Sequence, residues 1–166
     1  MRSSLRNSGL RWLWLAAVVI VLDQLTKAWA SSTLSLYQPV PVMPMFNWTL
    51  SHNTGAAFSF LHDAGGWQRW FFTALALGVS VMLLVWLRRI PREQVWEPMA
   101  LVLIMGGALG NVIDRVRFGY VVDFIDWYYE QWHWPAFNIA DAGITVGAVM
   151  LAISAVRGQP QRETGS

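Results

Sequence analysis

Four aspartates fall inside or beside stretches otherwise apolar enough to cross a membrane: Asp23, Asp114, Asp123 and Asp141. An ionised group at membrane depth costs about 2.5–3.5 kcal/mol on insertion scales, so such residues face a protein interior or a water-filled cavity. Asp141, in PAFNIADAGITVG, has no basic residue within one helical turn. Counted from Pro135 at about 1.5 Å per residue, it should lie roughly 9 Å below the outer end of its helix. Asp123, in VVDFID, belongs to the segment leading into that helix, so the two carboxylates can converge just beneath the outer surface. Two carboxyl groups sharing a site cannot both ionise cheaply, which raises one pKa and sets a base beside an acid. Such a pair hydrolyses peptide bonds: the ionised member draws a proton from water while the protonated member polarises the scissile carbonyl. The plainer alternative is that Asp123 caps a helix and Asp141 binds a backbone group in the bundle.

Other groups are weaker candidates. Asp23 and Lys27 stand at i and i+4, acid first, the better orientation for a helical pair, and read as a buried structural ion pair. For Arg115, in GNVIDR, a structural pair with Asp114 and a clamp on a substrate oxygen both stay open. A serine–lysine dyad from Lys27 with Ser31, Ser32 or Ser59 requires a deprotonated amine, which a neighbouring Asp23 opposes. His52, His62 and His133 lack metal-ligand spacing and read as scattered surface histidines. The absence of cysteine excludes disulfides, thiolate metal sites and a cysteine nucleophile.

The elements that must position these groups are membrane helices. The 166 residues are 55% hydrophobic and only 13% charged, with 11 Trp, too apolar for a soluble domain of this size. Spans are expected over 12–30, 66–87, 96–113 and 135–156, each near the roughly 20 residues that cross a core of about 30 Å. Arg2, Arg6, Arg11, Arg88, Arg89, Arg92, Arg157 and Arg162 flank these spans on one side. The positive-inside rule makes that side cytoplasmic and turns 31–65 and 116–134 outward. Trp12, Trp14, Trp29, Trp67, Trp70, Trp86, Trp96 and Trp134 fall near span ends, as an aromatic belt would. The N-terminal segment, ending in AWA, also has features of a cleavable secretory signal, but Asp23 and Lys27 interrupt it and its removal would spoil the even span number, so it is read as an anchor. The first outer segment, with prolines followed by FNWTLS and NTG, predicts a small β element. The second, dense in aromatics, predicts a short interfacial helix, and the stretch from Trp127 to Trp134 is a candidate lid. Gly106 and Gly110, and Gly143 and Gly147, have GxxxG spacing and are assigned to helix packing. Residues 1–156 are expected to form one domain, followed by a polar tail over 157–166 without fixed structure.

Five short stretches, DQLTK, NTGAAFSF, GGALGNVIDR, VVDF and FNIAD, occur in this order across the four spans. With them the chain resembles the bacterial lipoprotein signal peptidases (signal peptidase II) over about residues 10 to 155. The resemblance implies an α-helical integral membrane protein, an aspartic endopeptidase of the bacterial inner membrane. Such an enzyme removes signal peptides from diacylglyceryl-modified prolipoproteins by cutting just before the lipidated cysteine. It assigns catalysis to Asp123 and Asp141, and puts Asn53, Gly55, Asn111, Arg115, Asn138, Asp23 and Lys27 at positions that hold substrate backbone or support the site. It implies prolipoprotein substrates and membrane lipids as partners, a monomer, no metal or organic cofactor, no nucleic acid, and a site near the periplasmic face. From the residues alone, a small transporter or proton-conducting bundle is the rival, since intramembrane carboxylates are typical of those as well. A non-catalytic assembly subunit is another.

Overall fold

The computed structural model describes residues 8–55 and 66–157. Arg2, Arg6, Ser59, His62, Arg162, the AAFSF run and all of the polar tail except Arg157 lie outside the described residues. A 3-10 turn, Gly9–Trp12, runs directly into α1, Leu13–Thr33. It is followed by β1 (Pro39–Met43), β2 (Phe46–Asn53), α2 (Trp67–Arg89), α3 (Trp96–Phe118), β3 (Val121–Tyr129), β4 (Trp132–His133) and α4 (Ile139–Arg157). The four long helices, with α1 counted from Gly9, have 25, 23, 23 and 19 residues and are apolar enough to cross a membrane.

The centre of the bundle is α3, whose apolar window is 56% buried inside the protein, against 28% for α1, 22% for α2 and 11% for α4. Glycine makes this possible. A Cβ at Gly106 would stand 2.9 Å from the Ala16 carbonyl oxygen of α1, one at Gly147 2.5 Å from that of Ala100, and one at Gly107 would collide with that of Ala140. Helix backbones that close leave no room for side chains. The GxxxG expectation therefore holds for packing, with one addition: a Cβ at Gly110 would stand 2.8 Å from Asp23 Oδ2, so that glycine also clears space for a carboxylate.

The boundaries of α1 and α2 fall within three residues of those read in the sequence, and two others differ by more. Helix α3 continues past Ile113 to Phe118 and ends at Gly119, whose φ of +89° and N–H bond to the Arg115 carbonyl (3.1 Å) make a left-handed C-cap. Helix α4 begins at Ile139, not Pro135, so Asp141 lies in its first turn, about 3 Å from its start at about 1.5 Å per residue.

The segments that link α1 to α2 and α3 to α4 form one antiparallel sheet in the order β1-β2-β3-β4. The β element expected in the first segment is present. The interfacial helix expected in the second is not: residues 121–129 are strand β3, and 132–133 are β4. In VVDFIDWYY, β-branched and aromatic residues suit a pleated surface better than a helix, and β2 is available to pair along most of its length. The candidate lid is thus the hairpin end of that sheet, tied by Tyr128 N–H to the Met45 carbonyl (3.0 Å) and Trp134 N–H to the Trp127 carbonyl (2.8 Å). Prolines 39 and 41 are confined to the exposed edge strand β1, where a missing N–H does no harm. Beneath the sheet, Val122, Phe124, Leu50 and Ala30 form an apolar cluster that fixes it on the end of α1.

Candidate active site

Asp123 reaches its position through two backbone attachments of β3. On one side Ser51, His52 and Asn53 of β2 pair with Asp123, Val122 and Val121. On the other, Phe137 accepts from the amides of Phe124 (3.1 Å) and Ile125 (2.9 Å) and donates to the Ile125 carbonyl (3.1 Å). The chain then turns into α4 at Asn138, which brings Asp141 to the same place.

Asn138, fully buried, is the N-cap of α4: its side-chain oxygen accepts from Asp141 N–H at 2.9 Å. The next free amide of that helix end, Ala140 N–H, donates to Asp23 Oδ1 at 2.9 Å. With its carbonyl end committed, Asn138 must direct its Nδ2 outward, and it donates to Asp123 Oδ1 at 2.7 Å. Asn53 repeats the device. Its side-chain oxygen accepts from Gly55 N–H (3.0 Å), which turns its Nδ2 toward Asp123 Oδ2 at 3.1 Å. Gly55 has φ +148°, a conformation open to glycine. A third amide, Asn111, accepts from Lys27 Nζ at 2.9 Å and donates to Asp141 Oδ1 at 2.7 Å. Each amide is oriented by a donor that only its oxygen can satisfy, so both carboxylates receive N–H groups.

Behind this layer, Lys27 Nζ lies 2.8 Å from Asp23 Oδ2 and 2.9 Å from Asp114 Oδ2. Gln24 Nε2 donates to Asp114 Oδ1 at 2.8 Å, and Val122 N–H donates to Asp114 Oδ2 at 3.0 Å. Asp114 therefore pairs with Lys27 and not with Arg115. Successive helical residues point about 100° apart, and Arg115 turns the other way, its guanidinium 5.4 Å over the ring of Phe72. It remains within electrostatic range of Asp141, Asp123 and Asp114, and its Nε is buried without a hydrogen-bond partner among the described residues.

Asp123, outside the helices, is pushed up to about 7 by burial first and by the Asp141 charge second, against the opposing Asn53 and Asn138 donors. Among the described residues no cation forms an ion pair with either Asp123 or Asp141. Asp123 can therefore hold a proton near neutral pH beside a second carboxylate, Asp141, and exchange it with water.

The seven supporting residues named from the sequence all stand in or beside this network, and the Asp23–Lys27 pair is present. Gln24 and Asp114 were not among them. Gln24 adjoins Asp23, but nothing in its spacing signals that it faces α3. His133 is exposed, as expected, and His52 half-buried, but both have partners that the sequence did not assign. His133 Nδ1 lies 2.8 Å from Asp126 Oδ1, and His52 stacks on Tyr120 at 3.9 Å between ring centroids. A strand that folds back on its neighbours supplies both partners, which the sequence alone does not reveal.

The family model described as "Signal peptidase (SPase) II" matches residues 15–157. The chain belongs to the signal peptidase II family. The lipoprotein signal peptidase of Alteromonas mediterranea is 57% identical over 148 residues, 89% of this chain and 81% of that protein. That of Pseudomonas aeruginosa (strain UCBPP-PA14) is 53% identical over 160 residues, 95% of each. A solved bacterial membrane enzyme, determined in meso at 2.3 Å resolution, superposes with a TM-score of 0.80 at 30% identity, covering 92% of both chains. A second, at 1.9 Å, gives 0.77 at 31% identity, with 88% of this chain and 92% of that one. Family membership makes the protein a membrane-embedded peptidase with a multi-pass helical fold, in place of the transporter or assembly subunit that the isolated carboxylates also allowed.

Proposed function

We propose that Asp123 and Asp141 are the catalytic pair of this peptidase and that its substrates are diacylglyceryl-modified prolipoproteins, cut just before the lipidated cysteine. The observation that carries the assignment is that these two carboxylates, Asp123 buried and Asp141 partly so, are held by oriented neutral amides and left without an ion-pair partner among the described residues. Around neutral pH the pair shares one proton. The ionised carboxylate takes a proton from water as it attacks the scissile carbonyl, whose oxygen is polarised by the protonated partner. The proton then passes to the leaving amine, which restores the starting state.

Arg115 is the clamp in this reading: a half-buried guanidinium whose Nε has no partner among the described residues suits a peptide carbonyl of the substrate. Asn53, Asn111 and Asn138 orient the aspartates, Gly55 sets the turn that orients Asn53, and Asp23 with Lys27 supports the helix end. A substrate with its acyl chains and signal helix in the bilayer confines the scissile bond to the interface, in keeping with Asp141 in the first turn of α4 and Asp123 in the sheet. By the positive-inside rule that end faces the periplasm and both termini face the cytoplasm; the inner membrane and a monomer are carried over from the family resemblance.

The test is cleavage of a diacylglyceryl-modified prolipoprotein by purified protein in detergent. The expected outcome is one cut before the lipidated cysteine, with the unlipidated precursor left intact. Cleavage elsewhere, or equal cleavage of both precursors, overturns the substrate assignment.

A further inference from the structure

The end of the bundle opposite the carboxylates carries a built feature of its own. A groove of about 650 Å³ lies where the end of α2 meets the start of α3, its walls including Met82, Val85, Trp86, Arg89, Gln94 and Glu97. A second, of about 390 Å³, shares Trp86 and Glu97 and is closed by Leu151, Ser154 and Ala155 of α4. Trp96, held to α4 by its indole N–H on the Met150 carbonyl (2.9 Å), joins α3 to α4 at the same level. Two mostly apolar surface grooves thus meet at Trp86 and Glu97, at the level of the helix ends.

The chemistry of that point is specific. Met82, Val85, Trp86 and Arg89 are spaced i, i+3, i+4, i+7 and share one face of α2, apolar toward the membrane interior and cationic at the helix end. Arg89 is the last residue of α2 and Glu97 the second of α3. Among the described residues, neither forms an ion pair with the other or with any further group. An anionic lipid would satisfy Arg89 and meet repulsion from Glu97. A headgroup carrying both a phosphate and a primary ammonium matches both, since NH3+ can donate hydrogen bonds to the Glu97 carboxylate and a quaternary ammonium cannot.

We infer that this double groove binds one diacyl phospholipid with a primary-amine zwitterionic headgroup, its phosphate on Arg89, its ammonium on Glu97 and one acyl chain in each groove. Gln94 adds a donor for a phosphate oxygen. Trp86, common to both grooves, separates the chains just below the headgroup, the depth at which indoles favour a membrane interface. The site is independent of the peptidase reaction and would tie the far end of the α2–α3–α4 bundle to a defined lipid.

The test is native mass spectrometry of the full chain, delipidated and then exposed to an equimolar mixture of phosphatidylethanolamine, phosphatidylglycerol and phosphatidylcholine with matched acyl chains. One phosphatidylethanolamine per chain should be retained, about threefold or more over either competitor, a preference within reach of one exposed charge pair. Glu97→Gln should abolish the preference over phosphatidylglycerol, and Arg89→Gln should lower retention of all three. Each variant should cleave substrate normally in detergent, which reports that it is folded; if either fails, Glu97→Ala or Arg89→Met, which also remove the charge, replaces it. Equal retention of the three lipids, preference for phosphatidylglycerol, or an unchanged preference in Glu97→Gln overturns the proposal. So does lipid-insensitive crosslinking between copies through Ala155→Cys, which would give this face to a second copy of the chain.

Discussion

Two pairs of carboxylates flank Asn111, and all four are largely removed from solvent, yet their surroundings differ in kind. Asp23 and Asp114 share one ammonium, that of Lys27, and each also receives a backbone amide, from Ala140 and Val122. Asp123 and Asp141 receive donors of no net charge. A buried charge with a charged partner depends on that partner, and removing the partner is destabilising. Asp123, buried and held by amides alone, stays ionisable near neutrality, because burial and a like charge oppose the donors without overwhelming them. Burial therefore does not distinguish the supporting cluster from the proposed catalytic one; the type of partner does. Asn111 joins the two, accepting from Lys27 and donating to Asp141.

The comparison breaks most sharply at the titratable pair. Asp123→Asn and Asp141→Asn should each leave a folded protein and lower single-turnover cleavage by about 10²–10⁴-fold, the usual worth of positioned acid–base groups. The double variant should be little worse than either, since the two act as a unit. Lys27→Met should instead reduce thermal stability in detergent by about 3–5 kcal/mol, because two buried carboxylates lose their countercharge. Adding Asp23→Asn should recover part of that loss, with the asparagine oxygen still available to Ala140 N–H.

A third difference is in pH dependence. Asp123 titrates at about 7 in the folded chain against an ordinary 3.8. Between those values the folded state holds a proton that the unfolded state has lost, so stability falls as pH rises from about 4 to about 7 and the penalty is complete above that. Thermal unfolding followed across this range should show a shallower fall in Asp123→Asn than in the intact protein. The smallest expected effect is that of Asn53→Ala. Losing a donor that favours the ionised form raises the Asp123 pKa further, so the alkaline limb of the pH–rate profile should move to higher pH, by about tenfold in proton concentration.

Much of this was legible in the residues. Apolar runs and arginine placement located four spans, and isolation from any basic neighbour singled out Asp141. What failed was local. Asn138-Ile139-Ala140-Asp141 is an N-cap followed three residues later by an acid, a recognisable helix start. Counting from Pro135 passed over it and put Asp141 too deep. The aromatic density of residues 121–134 suggested an interfacial helix, whereas pairing with β2 decided for strand, a tertiary effect that no local window contains. The same holds for Asp114: its partner is four helical turns into α1, and only the close approach of α1 and α3 at Gly106 and Gly110 makes the contact.

The most direct test of the contrast is infrared difference spectroscopy of the detergent-solubilised protein from about pH 5 to about pH 9, a range in which ordinary carboxyl groups are already ionised. A protonated carboxyl band that is lost near pH 7 and absent in Asp123→Asn, while Asp23→Asn and Asp114→Asn retain it, is the predicted result. No protonated carboxyl anywhere in that range, or a band that survives Asp123→Asn unchanged, would contradict the proposed proton-sharing pair.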